Sequence, residues 1–365
     1  MKLFSYFSRR FLANFAAVFV AFALLFGLLD MIEVARVFTG DDVSLARVLT
    51  LVILRLPEGL YQILPLMVLL ATVALFLALA RSSELVVTRA AGRSALRVTM
   101  APITAAVAVG ILALAIMNPI VAATKTQYET LSARYLATGG SSLSVSQEGL
   151  WLRQGSSLGQ TVISAERASL DGTELFDVTF VALSPSGQPV SRTQAASAKL
   201  QEGAWALADV RQWSLQGTDT APLIAVTFAE LLVPSTLTAD QIRDGFGTPS
   251  AVPIWELPRF IDRLEQAGFS ARRHRVWFHA ELARPALLAA LVLVGAGFTM
   301  RHNRFGRTGL MVVLALLIGF AIFFVRNLAQ LMGENGQIPI LLAAWAPPAA
   351  AIFLALGILL NQEDG

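Results

Sequence analysis

Apolar residues along this chain fall into blocks separated by polar stretches. A helix needs about 20 largely apolar residues to cross a bilayer. Six blocks approach or exceed that length: Phe11 to Val37, Leu56 to Ala80, Val98 to Asn118, Leu282 to Met300, Gly309 to Leu331 and Ile338 to Leu360. The second can begin as an amphipathic segment near Ser44. The first is longer than the roughly 7–15 apolar residues of a signal peptide and has no small-x-small cleavage site after it, so it reads as a permanent span.

From Ala122 to Arg275 the pattern changes, becoming rich in Ser, Thr, Gln and Gly and poor in Lys. Short runs alternate with turn signals. The runs are Leu143 to Leu152, Gln160 to Ala165, Thr173 to Leu183 and Val190 to Leu200, then Trp205 and Leu207 followed by Val210, Trp213 and Leu215 with a bulge between them, with Pro222 to Phe228 as a further candidate. Ser184-Pro185-Ser186-Gly187 and Gln201-Glu202-Gly203 supply turns. Many short strands at this spacing predict a β-sandwich or jelly roll. Trp255 to Arg275 then predicts a helix, with Leu257, Phe260, Ile261 and Leu264 on one face and Gly268 as a stop. It reads as an interfacial helix leading into the fourth span; the alternative is a connector packed on the β-domain.

The expected fold class is therefore an α-helical membrane protein of six transmembrane helices with an inserted extracytoplasmic all-β, jelly-roll-like domain. Residues 1–121 carry spans one to three and residues 122–254 the β-domain. Residues 255–281 form the connector and residues 282–365 carry spans four to six.

Composition agrees with a bilayer as solvent. The 365 residues are 55% hydrophobic and 15% charged, against about 25% charged in a soluble chain, and mean hydropathy is +0.63. Net charge is +3. The basic residues cluster in short loops: Lys2, Arg9 and Arg10; Arg81, Arg89, Arg93 and Arg97; Arg301, Arg304 and Arg307. The opposite loops hold Asp41 and Asp42 near Arg47, and Glu334 after Arg326. Positive loops stay in the cytoplasm, so both termini are expected there and the β-domain outside. The positive balance thus sets orientation and gives no sign of nucleic acid as a partner. The absence of cysteine excludes disulfides, thiolate nucleophiles and Cys-held metals.

Signatures of bond chemistry are missing. There is no GxxxxGK[ST], no GxGxxG after a strand, and no HExxH among His274, His279 and His302. No GxSxG elbow occurs either. No cofactor, metal or catalytic group is expected. Ionisable residues within spans carry more meaning, because a charge in hydrocarbon is costly. Asp30, Glu33 and Arg36 share one side of the first block, Arg55 and Glu58 flank Pro57, and Arg326 lies near the outer end of the fifth. Either they snorkel to the headgroups, or they form a polar rim around a cavity for an anionic amphiphile.

The second basic loop reads Arg81-Ser82-Ser83-Glu84-Leu85-Val86-Val87-Thr88-Arg89-Ala90-Ala91-Gly92-Arg93-Ser94. Ser82 or Ser83 can cap a short helix, with Glu84 in its first turn and Gly92 closing it. Leu85 and Val86 are then available to a partner. The plainer alternative is a basic loop that only sets topology.

That loop, together with Gly139-Gly140-Ser141, Gln147-Glu148-Gly149-Leu150-Trp151, Glu281-Leu282-Ala283-Arg284-Pro285 and Ile338-Pro339-Ile340, resembles the lipopolysaccharide-export permeases of the LptF/LptG family, the LptG branch more closely. The resemblance extends over the whole chain. It implies a permease subunit, with no ATPase site of its own, that extracts lipopolysaccharide from the inner membrane. The implied partners are an ABC ATPase dimer, a paired LptF-type permease, periplasmic jelly-roll bridge proteins and a single-span accessory subunit.

By the same resemblance Glu84, Leu85, Val86, Arg89 and Gly92 belong to a coupling helix over residues 83–92, with Glu84 as its polar contact to the ATPase. The first and fifth spans would line the lipid cavity, with Asp30, Glu33, Arg36, Arg55 and Arg326 as candidate contacts. Asp30 stands where family members place a lysine near lipid phosphates, and an acid there cannot neutralise phosphate. Either Arg36, Arg55 or Arg326 takes that role, or the lipid differs, or the register of the comparison is shifted. The rival readings are the paired LptF-type permease and, from another class, a membrane sensor whose β-domain binds a ligand.

Overall fold

The computed structural model describes residues 2–37, 45–136, 142–146, 149–156, 159–168, 173–184, 188–215, 225–235, 237, 248–266, 270–300 and 308–363. Several sequence expectations fall outside these residues. They are Asp41 and Asp42, Gly139 to Ser141, Gln147 and Glu148, turn residues 185–187, Pro222, Gly268, and the 301–307 loop with His302. The chain divides into two compact units: Met1–Leu131 with Ser250–Ile254 and Arg272–Gly365, and Ser132–Pro249 with Trp255–Ala271.

The first unit is helical. Its elements are α1 (Lys2–Val37), α2 (Leu45–Arg81), α3 (Glu84–Ala90), α4 (Ala95–Leu112) and α5 (Asn118–Leu136), which runs on into the second unit. One further helix, α6 (Leu257–Gln266), belongs to the second unit. Then come α7 (Arg272–Leu282), α8 (Arg284–Thr299), α9 (Thr308–Glu334) and α10 (Ile340–Glu363). Among the described residues five helices are long and apolar enough to cross a membrane, and a sixth span results if α7 and α8, bent by 48°, count as one.

Two helices depart from the block pattern. The third block predicts an end at Asn118, yet helix continues to Leu136 through a π turn at Ala113–Met117. A proline ring clashes with the carbonyl four residues back, here that of Ala115. The wider turn just before Pro119 absorbs that clash. The fourth block predicts a span from Leu282 to Met300, but α8 has 16 residues, about 24 Å at the α-helical rise. That falls short of a hydrocarbon core of about 30 Å. Pro285 near its start cannot continue α7, which makes the bend. Most of α8 is buried, including Leu287, Leu288, Leu291, Val292 and Val294. Its apolar character answers to protein neighbours on all sides.

Around that post, Leu288, Val292 and Ala296 of α8 pack in one cluster with Leu64, Val68 and Leu75 of α2, Val98 and Ala106 of α4, and Phe7 and Phe11 of α1. Small residues let the backbones approach. A Cβ on Gly110 would stand 2.8 Å from Pro285 Cα, and one on Gly295 would stand 2.9 Å from the Thr72 side chain. The outer parts of α1 and α9 stay uncovered: Leu24, Leu28 and Ile32 on α1, and Leu317, Phe320 and Phe324 on α9, are exposed.

The second unit is an antiparallel sheet of seven strands in chain order. The strands are β1 (Ser142–Ser146), β2 (Gly149–Ser156), β3 (Gly159–Ala168), β4 (Glu174–Leu183), β5 (Pro189–Gln201), β6 (Ala204–Ser214) and β7 (Val226–Pro234). Its buried face carries Leu152, Ile163, Val178, Phe180, Trp205, Leu207 and Val210. Among the described residues the strands make one sheet, where alternating runs predict two facing ones.

A crease crosses this sheet. Pairing is interrupted in one row at Glu166, Asp177, Ala196, Asp209 and Ala229. Asp177 and Asp209 have φ of 53° and 54°, left-handed values that short polar side chains tolerate best. Such interruptions bend a sheet, so a single sheet can wrap its own apolar face.

The expected connector is two helices. The apolar face of α6, Leu257, Ile261 and Leu264, is buried within the protein. Phe260, the fourth residue of that face, is half-buried, and Trp255 just before the helix is exposed.

Candidate functional site

The polar groups of the helical unit gather in three places. On the loop side, α3 forms where the sequence places it. The Ser83 carbonyl accepts from the amides of Val86 and Val87 at 3.1 and 3.2 Å, and Ser83 has a φ of 57°. At the other end Gly92 has a φ of 77°, and the Arg93 amide donates to the Thr88 carbonyl at 3.3 Å. This is a Schellman closure, for which Gly suits the left-handed position.

Within α3, Glu84 is already engaged. Arg10 Nη1 donates to Glu84 Oε1 at 2.7 Å, Ser82 Oγ to Oε1 at 2.8 Å, and Tyr6 Oη to Oε2 at 2.9 Å. These donors, the Arg10 guanidinium foremost, hold the Glu84 carboxyl below its ordinary range. Leu85, expected to face a partner, is buried in the cluster with Phe7 and Phe11. In a seven-residue helix the fastened Glu84 decides which side turns inward. The exposed apolar pair is Val86 and Val87. The Arg89 side chain lies outside the described residues.

A second set lies on α1, α2 and α5. Arg55 Nε stands 3.5 Å from Asp30 Oδ1, so two of the expected rim residues meet. Glu33 and Arg36 are exposed on α1. Nearby in sequence, Lys125 Nζ donates to Glu58 Oε1 at 2.5 Å and to Ser250 Oγ at 2.9 Å, and Asn118 Oδ1 accepts from the Ile254 amide at 2.9 Å. Lys125 and Asn118 thereby tie the 250–254 segment to α2 and α5. As single polar residues within a longer helix they give no sequence signal of that role.

The third set is buried between α2, α7, α8 and α9. Arg284 Nε donates to Glu281 Oε2 at 3.0 Å and its Nη1 to the Tyr61 carbonyl at 2.9 Å. Arg284 Nη2 and Tyr61 Oη also donate to Glu281. The Arg284 guanidinium lies over the Tyr61 ring, 3.9 Å from its centroid, a cation–π contact. All three residues are at most 2% exposed.

Beside them is a cavity of about 310 Å³ lined by Gln62, Arg284, Arg326, Asn327 and Gln330, among others. Arg326 is 8% exposed, and its hydrogen bond is to Asn327 Oδ1 at 3.5 Å. Among the described residues no carboxylate stands in ion-pair range of it. Arg326 is thus separate from the Asp30–Arg55 pair. The lining also holds the Glu334 carboxylate, which accepts from Gln330 Nε2 at 3.0 Å. At the Arg326 end the cavity combines a buried cation with the Asn327 amide, a chemistry that suits an anionic oxygen group. Among the described residues no cluster of His, Asp and Glu could hold a metal.

Comparison with known proteins places this geometry in context. Residues 5–361 match the family model described as "Lipopolysaccharide export system permease LptF/LptG". The chain is 24% identical over 315 residues to the "Lipopolysaccharide export system permease protein LptG" of Escherichia coli (strain K12), covering 85% of this chain and 84% of that one. It is 23% identical over 358 residues to the protein of that name from Haemophilus influenzae, covering 95% and 96%.

Proposed function

Since the chain belongs to the LptF/LptG family of lipopolysaccharide export permeases, we propose that it is the LptG-type subunit of an ATP-driven exporter that draws lipopolysaccharide out of the inner membrane and hands it to a periplasmic bridge. A separate ATPase dimer drives it and a sister LptF-type permease completes the cavity. Both termini are cytoplasmic. The creased sheet is the periplasmic jelly-roll module, and its outer strand β7, with Val226, Phe228 and Leu232 exposed, receives the next module by strand addition.

The observation that carries this reading is Arg326. A buried charge that no carboxylate among the described residues pairs costs several kcal/mol, and charged residues inside membrane helices mark substrate paths. Asp30 shares Arg55 and Arg36 is exposed, while Arg326 is buried beside the cavity and is the cation that answers a phosphate. The uncovered apolar faces of α1 and α9 meet the acyl chains. ATP binding closes the ATPase dimer, α3 carries that motion into the spans as a rigid shift, and the cavity narrows and expels the lipid. The chain itself breaks no covalent bond.

The test is a photo-reactive residue in place of Asn327 in the reconstituted complex. The expected result is an adduct with lipopolysaccharide that Arg326→Glu abolishes. A complex that exports lipid yet gives no adduct at Asn327 contradicts the reading.

A further inference from the structure

One wall of the cavity beside Arg284 belongs to α7, a helix held at both ends. At its start Arg272 Nε and Nη2 donate to the carbonyls of Gly333 and Ile338, each at 2.6 Å. At its end Glu281 accepts from Tyr61 and Arg284. Trp277 lies midway between these fastenings and lines the cavity. A side chain on an element fixed in this way keeps its place. The indole Nε1 of Trp277 is buried and has no hydrogen-bond acceptor among the described residues. An indole can only donate, and a buried donor left unpaired is unfavourable. Such a group on a cavity wall is satisfied by an acceptor that a ligand brings.

A second wall is one face of α9. Arg326, Gln330 and Glu334 follow at four-residue steps along it, about 12 Å from first to last at the α-helical rise. Charge changes sign over that distance. Arg326 donates to Asn327 Oδ1 at 3.5 Å, with no carboxylate in ion-pair range among the described residues. The Glu334 carboxylate accepts from Gln330 Nε2 at 3.0 Å and stands 4.0 Å from Arg273 Nε. An anionic group is therefore favoured at the Arg326 end and opposed at the Glu334 end. The volume, about 310 Å³, lies at the small end of ligand sites, about 300–1,000 Å³. It suits one sugar ring with one phosphate and excludes a many-chained lipid as a whole. Trp277 and Phe323, both in the lining, offer aromatic faces to the C–H groups of such a ring, and Trp277 adds a polar edge.

We propose that Trp277 is a ligand contact in this cavity, and that the cavity takes a single phosphorylated sugar. The anionic group of that sugar lies on Arg326, and a ring or hydroxyl oxygen accepts from the Trp277 N–H. This rests on the transport reading above. It names the part of the lipid that the cavity holds, the headgroup sugar, and leaves the acyl chains to the uncovered faces of α1 and α9.

The test uses the full chain with its sister permease and ATPase in lipid nanodiscs, with lipopolysaccharide as the probe. Trp277→Phe keeps an aromatic ring and removes the N–H. The lipopolysaccharide concentration for half-maximal stimulation of ATP hydrolysis should rise about three- to tenfold, the worth of one hydrogen bond, while the maximal stimulated rate falls far less. An unchanged half-maximal concentration overturns the inference. So does a maximal rate lost in the same proportion, which marks a structural role.

Photocrosslinking supplies a second measurement that does not depend on that variant. A benzoylphenylalanine in place of Trp277 should form an adduct with lipopolysaccharide that mass spectrometry places on the sugar. The same group in place of Phe324, which is 67% exposed on α9, should mark acyl chains. Adducts at the Trp277 position on acyl chains alone overturn the inference. An adduct at the Asn327 position with none at Trp277 also overturns it and leaves the transport reading standing. No adduct at either position, from an assembled complex that exports lipid, overturns the transport reading itself and this inference with it.

Discussion

The hydroxyl of Tyr61 on α2 donates to the carboxylate of Glu281 on α7 across 220 positions of sequence, and the same carboxylate holds Arg284 at the start of α8. The contact closes the bend between α7 and α8 against α2. It also pairs the Arg284 charge directly, whereas Arg326 across the cavity has no carboxylate in ion-pair range among the described residues.

Removing one partner of a buried pair strands the other charge. Glu281→Ala should therefore destabilise the protein by about 3–5 kcal/mol, read as a fall in the thermal unfolding midpoint in detergent. Replacing both partners, Glu281→Leu with Arg284→Met, should recover most of that loss. Equal damage from the single and double variants contradicts the account.

Arg326 predicts the opposite sign for stability. Arg326→Leu removes a buried cation that has no carboxylate in ion-pair range among the described residues, so the unfolding midpoint should hold or rise. Binding of lipopolysaccharide should weaken about tenfold, equivalent to about 1.4 kcal/mol. A lower midpoint with unchanged binding would make Arg326 a structural residue.

Gly110 lies where α4 meets the start of α8. The nearest atom to an added Cβ is the backbone Cα of Pro285, which cannot swing away. Gly110→Ala should cost about 1–3 kcal/mol as an overpacked contact. Gly27→Ala is the control, because nothing stands within 4 Å of that position. An unchanged midpoint for Gly110→Ala contradicts the packing described.

The contact of Arg10 with Glu84 has a pH signature. Its folded carboxyl titrates below the ordinary value of 4.5 because Arg10 donates to it. A depressed carboxyl stabilises above its unfolded value and loses that contribution as pH falls through the folded value. The contact therefore holds at neutral pH and opens only in acid below the usual carboxylate range. In Arg10→Ala the titration of Glu84, followed by carbon-labelled glutamate NMR, should move upward toward 4.5. An unmoved titration means Arg10 does not hold the carboxyl.

Most spans were legible because hydrocarbon demands long apolar runs, and α1, α2, α9 and α10 follow that demand. The α8 helix reads alike from either cause, since a helix enclosed by protein needs the same apolar residues as one enclosed by lipid. Turn chemistry revealed the Gly92 end of α3. At the other end the Ser82 hydroxyl donates to the Ala78 and Leu79 carbonyls and to Glu84 and does not cap an α3 amide, and seven residues are too few for periodicity to say that Leu85 turns inward. The interruption at Asp209 was legible where alternation breaks between Leu207 and Val210, whereas Asp177 lies between Phe176 and Val178, apolar on both sides, and gives no such signal. Arg326 was visible as a charge in an apolar run. Its lack of an ion-pair carboxylate among the described residues, and the joining of Tyr61 to Glu281, exist only in three dimensions.

The central claim is that this chain couples a separate ATPase to lipopolysaccharide, and the most direct test is ATP hydrolysis by the co-purified complex of ATPase, sister permease and this chain. The wild-type complex should assemble and accelerate hydrolysis when lipopolysaccharide is supplied. Val86→Asp with Val87→Asp, which changes only the exposed face of α3, should release the ATPase while the chain still folds. Failure of the wild-type chain to retain any ATPase, with the other subunits folded, would contradict the account.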